Sequence, residues 1–291
     1  METGSQISPP SQEAIKSAEK LYDAIQMAFP EAVSDFESKW TAEDAVCHSQ
    51  TTSARYGYVV LLQSVRYLSS LSSLNTYGQT DEFEALKKLG PKIIPFVVFK
   101  LARDTDQNSY GVFLCNPSLS PLCTMHLIPP DNALEKDPNY CGTLDEAAVS
   151  KEGLWRCSSE IVELNCQRNK IVEEHVRSWK DYCEMNQTSS DSAVYTGCEP
   201  YWDLLEMGPS IIAHLMVEYY HSGGFWFQLL HEIIHGRKMG AYMYQMYALF
   251  EAWCQWFNKG EHDQAPLYIP TPMDRYILHG EVRDYVPTFL R

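Results

Sequence analysis

The stretch of this chain best equipped for chemistry is His231-Glu232-Ile233-Ile234-His235. Two histidines four residues apart on a helix share a face and can bind one Zn²⁺, while the glutamate between them can act as general base on metal-bound water. If the segment from Trp226 is helical, Trp226, Leu229, Leu230, Ile233 and Ile234 form one apolar stripe, and His231 and His235 fall on the other side. His231, Glu232 and His235 are therefore the candidate catalytic residues, with His231 and His235 the candidate ligands of a zinc hydrolase. Without metal, the same three groups offer acid–base catalysis on an apolar metabolite. The extensions of zinc peptidases are missing: Ala241 stands where a third histidine would follow, and neither Glu251 nor Glu261 falls at the spacing of a thermolysin-like carboxylate.

A second set of residues reads as a ligand pocket. His214 and Glu218 lie one helical turn apart on the preceding segment, and antiparallel packing of the two helices would bring them towards His231. Tyr219, Trp226 and Tyr242 flank them and suit an apolar site carrying a few polar groups, although aromatics at helical spacing also serve as core. Asp104, Asp106 and Asn108 alternate as in a calcium loop but lack its glycine and terminal glutamate, so they read as a polar turn. No nucleophile elbow, phosphate-binding loop or dinucleotide fingerprint occurs.

Bulk properties narrow the partners. The 291 residues carry a formal net charge of −15, which repels phosphate backbones and anionic lipid, so neither nucleic acid nor membrane is expected. Nine cysteines without a Cys-x-x-Cys pair read as reduced thiols, and the polar start METGSQISPPSQ carries no apolar leader. A cytoplasmic protein binding a small molecule or a protein segment, in a groove between helical repeats, is the expectation.

These side chains must be positioned by helices. Ser11 can cap a helix that Pro30 stops, and a second helix is expected at about 53–73. Scattered prolines predict an irregular insertion from 104 to 153. The longest helix is expected over 158–184, with Ile161, Leu164, Ile171, Val172, His175, Trp179 and Tyr182 inward and a charged flank that includes Arg168. Two further helices are read at 226–235 and 242–258. A disordered tail is expected at 1–11, a single domain at 12–261, and an extended arm packed on that domain at 262–291.

The chain also nearly repeats itself. FEALKKLGPKIIPFVVFKL at 83–101 returns as YWDLLEMGPSIIAHLMVEY at 201–219, with Leu86, Gly90, Pro91, Ile93 and Ile94 matched by Leu204, Gly208, Pro209, Ile211 and Ile212. Two amphipathic helices joined at a Gly-Pro corner form the unit of a helical array, here over about 80–119 and 199–236. The phrase around Gly90 resembles the second helix of HEAT-type repeats. Trp226-Phe227, Gly236 and Ala252-Trp253-Cys254-Gln255-Trp256 are similar to segments of an uncharacterised fungal family of helical proteins. That resemblance implies an all-α, HEAT-like array with two related helix pairs and a long irregular insertion. It brings no catalytic residue with it, and it places the His-Glu-x-x-His segment in an ordinary repeat-helix slot.

Overall fold

A computed structural model describes residues 8–61, 80–104, 108, 111–115, 151–188, 193–239 and 245–267. Most of the expected insertion, the expected helix beyond residue 61, Tyr242 and the arm from residue 268 lie outside the described residues. What is described is helical, with no strand among it.

Helix α1 spans Gln12–Ala28, and the Ser11 hydroxyl accepts from the Ala14 N–H at 3.1 Å, as the capping signal requires. Pro30 does end α1, but it also begins α2, Pro30–Leu61. A proline at the first helical position forfeits an N–H that has no intrahelical partner there. The start of α2 was missed in the sequence, although Ala32, Val33, Phe36 and Trp40 recur at helical spacing and are all buried.

The two Gly-Pro segments adopt nearly the same backbone. In the first, α3 (Asp81–Lys88) leads through a 3₁₀ turn (Gly90–Ile93) into α4 (Ile94–Arg103), followed by the short α5 (Gly111–Leu114). After the long α6 (Lys151–Met185) and the short α7 (Ala193–Thr196), the pattern recurs. Helix α8 (Glu199–Glu206) leads through a turn (Gly208–Ile211) into α9 (Ile212–Ser222) and then α10 (Trp226–His235). Gly90 and Gly208 take φ of 71° and 66°. Leu89 and Met207 before them sit at −66°, −24° and −67°, −18°. A left-handed residue reverses the chain at the end of one helix, and the following proline is preset for the next. The two turns pack against each other, while α1 lies against α4, α6 and α9.

Helix α11 (Met246–Lys259) and a last 3₁₀ turn (His262–Gln264) close the described fold. Lys92, in the first Gly-Pro turn, is 3% exposed and donates to the carbonyls of Trp256, Phe257 and Gly260 at 2.9, 3.0 and 2.6 Å. The first repeat thus caps the end of α11, where the Trp256 carbonyl also accepts from the Gly260 N–H at 2.8 Å. One hydrophobic cluster runs from Ala14 to Ala265. None of the described helices is long and apolar enough to cross a membrane.

The inward face of α6 is only partly the expected one: Val172 and Trp179 are buried, and Ile161 and Tyr182 pack partly against the core. Ile171 is exposed, and the buried stripe runs through Ser158, Val162, Asn165, Cys166, Asn169, Val172, Val176 and Trp179. Three of those eight side chains, Ser158, Asn165 and Asn169, are polar and so blur it in a hydrophobicity reading. Arg168, assigned above to the solvated flank, is buried and donates to the Met207 carbonyl at 2.8 Å, just before the second Gly-Pro turn.

Candidate functional site

Helix α10 carries the His-Glu-x-x-His segment and stops at Gly236, whose φ of 64° ends it. Its first turns are buried all round, from Trp226 to His231, while Ile233 and Ile234 are only partly so. His231 is therefore not on a solvent face: it is 1% exposed. Its Nδ1 lies 2.9 Å from the Arg237 carbonyl, a pure acceptor, so that nitrogen bears the proton. Its Nε2 is left buried without a partner among the described residues. His235, its ring centroid 4.7 Å away, donates from Nε2 to the Pro266 carbonyl at 2.9 Å.

Burial, with His235 alongside, pushes the His231 imidazole down to about 4. Burial also lowers His235 and His262. These rings are neutral at neutral pH. Glu232 turns towards α8, where its Oε2 accepts from the Tyr201 hydroxyl at 2.7 Å. Burial foremost, then the Glu232 carboxylate, holds the Tyr201 phenol well above its ordinary range. Among the described residues, no group of three His, Cys, Asp or Glu side chains is disposed to hold a metal ion.

His214 and Glu218 lie elsewhere. On α9 they face α1 and α6 across a groove of about 420 Å³. Leu21, Val172, Val176 and Val217 give it an apolar floor. Two ion pairs cross between helices, Lys20–Glu173 at 2.7 Å and Lys180–Glu218 at 2.8 Å. Asn169 donates from Nδ2 to the Ser17 hydroxyl at 2.9 Å, while its Oδ1 is buried and unpartnered. His214 keeps some exposure, yet its Nδ1 is buried and likewise unpartnered. Burial, then the nearby Arg168 and Lys20 charges, depress His214 to about 3.

The sequence candidates thus separate. The groove takes His214 and Glu218 but not His231, Glu232 or His235. Tyr219 is core, edge-on to Phe250, and Trp226 is core against Trp179 at 4.4 Å. Ser17 and Asn169 were not anticipated; the available signal was an asparagine recurring at i and i+4, Asn165 and Asn169, interleaved at helical spacing with Val162, Cys166, Val172 and Val176.

No family model matches this chain, and neither a curated protein nor a solved structure shows significant similarity to it. Its reading rests on its own residues.

Proposed function

We propose that this protein binds a small molecule in the groove between α1, α6 and α9; of the two Gly-Pro units, read as HEAT-like repeats, the second supplies α9 and the first no lining residue. A groove of about 420 Å³ is of the size that takes a metabolite, and its apolar floor is ringed by polar and charged side chains. One observation carries the reading. Asn169 Oδ1 and His214 Nδ1 are buried at this groove with hydrogen-bonding capacity unused, and buried polar groups are nearly always satisfied, by protein, water or ligand. A metabolite panel screened by thermal shift tests it, using the wild type and Ala24→Trp, which fills the groove from α1. Compounds that raise the melting temperature of the wild type and not of the variant support the reading. Equal stabilisation of both, or of neither, overturns it.

A second, enzymatic reading is favoured by the buried, unpartnered Nε2 of His231 beside His235. As a zinc centre the residues fit poorly, since His235 Nε2 is engaged by Pro266 and Glu232 by Tyr201. As a metal-free acid–base pair they need a substrate proton within reach of His231 Nε2. Stoichiometric zinc in purified protein, lost in His235→Ala, would restore the hydrolase reading.

A further inference from the structure

The groove also constrains what can occupy it. Its charged groups balance: Lys20, Arg177 and Lys180 against Glu173, Asp181 and Glu218. Four of these six are already paired with one another across the groove. A charged ligand would have to compete with those pairs, losing its own hydration for contacts that are taken. Arg177 and Asp181 are exposed, so water serves them fully in the free protein. The groups that gain most from a ligand are the two that water serves least, Asn169 Oδ1 and His214 Nδ1. Both are uncharged, and both lie among Leu21, Val172, Val176 and Val217.

Resting on the groove-binding reading above, we infer that the ligand is an uncharged, largely apolar molecule bearing a hydroxyl or primary amide, which these two side chains recognise by hydrogen bonding. A hydroxyl donates to the asparagine oxygen and accepts from a protonated His214 Nδ1, whereas the two N–H groups of a primary amide serve both atoms when that nitrogen is unprotonated. The apolar remainder lies on the valine and leucine floor. The buried position of the polar pair matters, because a site built to bond a hydroxyl discriminates strongly against a ligand without one.

The test is calorimetric titration of the full chain with four probes sharing one tail: octanol, octanoate, octylammonium and the zwitterion α-aminooctanoate. Octanol should bind about tenfold or more tightly than each charged probe, as one well-made buried hydrogen bond and avoided charge desolvation require. Asn169→Leu should erase that preference while leaving helical content unchanged. Should that variant not fold, His214→Leu serves the same purpose. Equal or tighter binding of a charged probe, abolished by Ala24→Trp, overturns the inferred chemistry and leaves the groove intact as a site. Octanol binding unaffected by Ala24→Trp overturns both, and a chain that binds none of the four overturns the inference.

Discussion

The Tyr201 hydroxyl reaches across from α8 to donate to Glu232 on α10 at 2.7 Å, so the glutamate of the His-Glu-x-x-His segment is committed to a neighbouring helix. Tyr201 itself is 1% exposed and packs against Trp179. Its hydroxyl therefore acts as a tie between the two helices flanking the second Gly-Pro unit. Tyr201→Phe keeps the ring and removes the tie. A hydrogen bond to a charged acceptor that is only partly buried is worth ~1–2 kcal/mol, and a fall of that size in the urea-derived unfolding free energy is expected. An unchanged free energy would mean that water replaces the tyrosine without loss.

Acid should unfold this protein by way of its histidines. His214 and His231 are held at about 3 and about 4 in the fold, against about 6.5 for a free imidazole. Below that ordinary value the unfolded chain takes up protons that the folded chain refuses, so stability falls as pH falls, and the loss is complete only near the folded values. At ~1.4 kcal/mol per pH unit of displacement, the two together cost several kcal/mol. Urea midpoints should drop steadily from pH about 6.5 downwards, and His214→Gln and His231→Gln should each flatten the profile. A profile unchanged by either substitution would show that these rings are solvated enough to titrate normally.

The sequence made the Gly-Pro corners, the Ser11 cap and the limits of α10 legible, because each is specified by a few neighbouring residues with strong backbone preferences. It disclosed only part of the inward face of α6 and not the groove. Arg168, Asn165 and Asn169 read as solvent-facing on polarity alone, and only the approach of α1 and the second Gly-Pro turn explains their burial. The groove joins Ser17 to Glu218 through three helices distant in sequence. No local pattern encodes such a meeting. The apolar stripe of α10 set His231 on the opposite side of the helix, and that side too is covered.

Lys92 offers a test of how the first unit holds the end of α11. Its ammonium donates to three backbone carbonyls and lies 5.1 Å from the centre of the Trp256 ring. Lys92→Met preserves the length and removes every donor; the Trp256 carbonyl keeps the Gly260 N–H at 2.8 Å, while the Phe257 and Gly260 carbonyls lose the lysine. A cost of ~2 kcal/mol or more is expected, since each orphaned buried acceptor costs ~1–3 kcal/mol. Hydrogen exchange of α11 should accelerate before that of α9. A variant as stable as the wild type would show that the methionine packs well enough to offset the lost bonds.

The left-handed glycines separate backbone strain from crowding. Gly90 and Gly236 adopt nearly the same φ, 71° and 64°, so an alanine pays the same conformational penalty at either, ~1–2 kcal/mol. Their surroundings differ. A Cβ at Gly236 meets nothing within 4 Å, whereas at Gly90 it falls 2.6 Å from the Cβ of His262. Gly90→Ala must therefore also displace the last 3₁₀ turn, which sits beside the carbonyls that Lys92 binds. Gly90→Ala is expected to lower the melting temperature clearly more than Gly236→Ala, and to loosen the 260–266 segment to limited proteolysis while Gly236→Ala does not. Equal melting temperatures would mean that the turn at His262 yields freely, and that the first Gly-Pro corner does not anchor it.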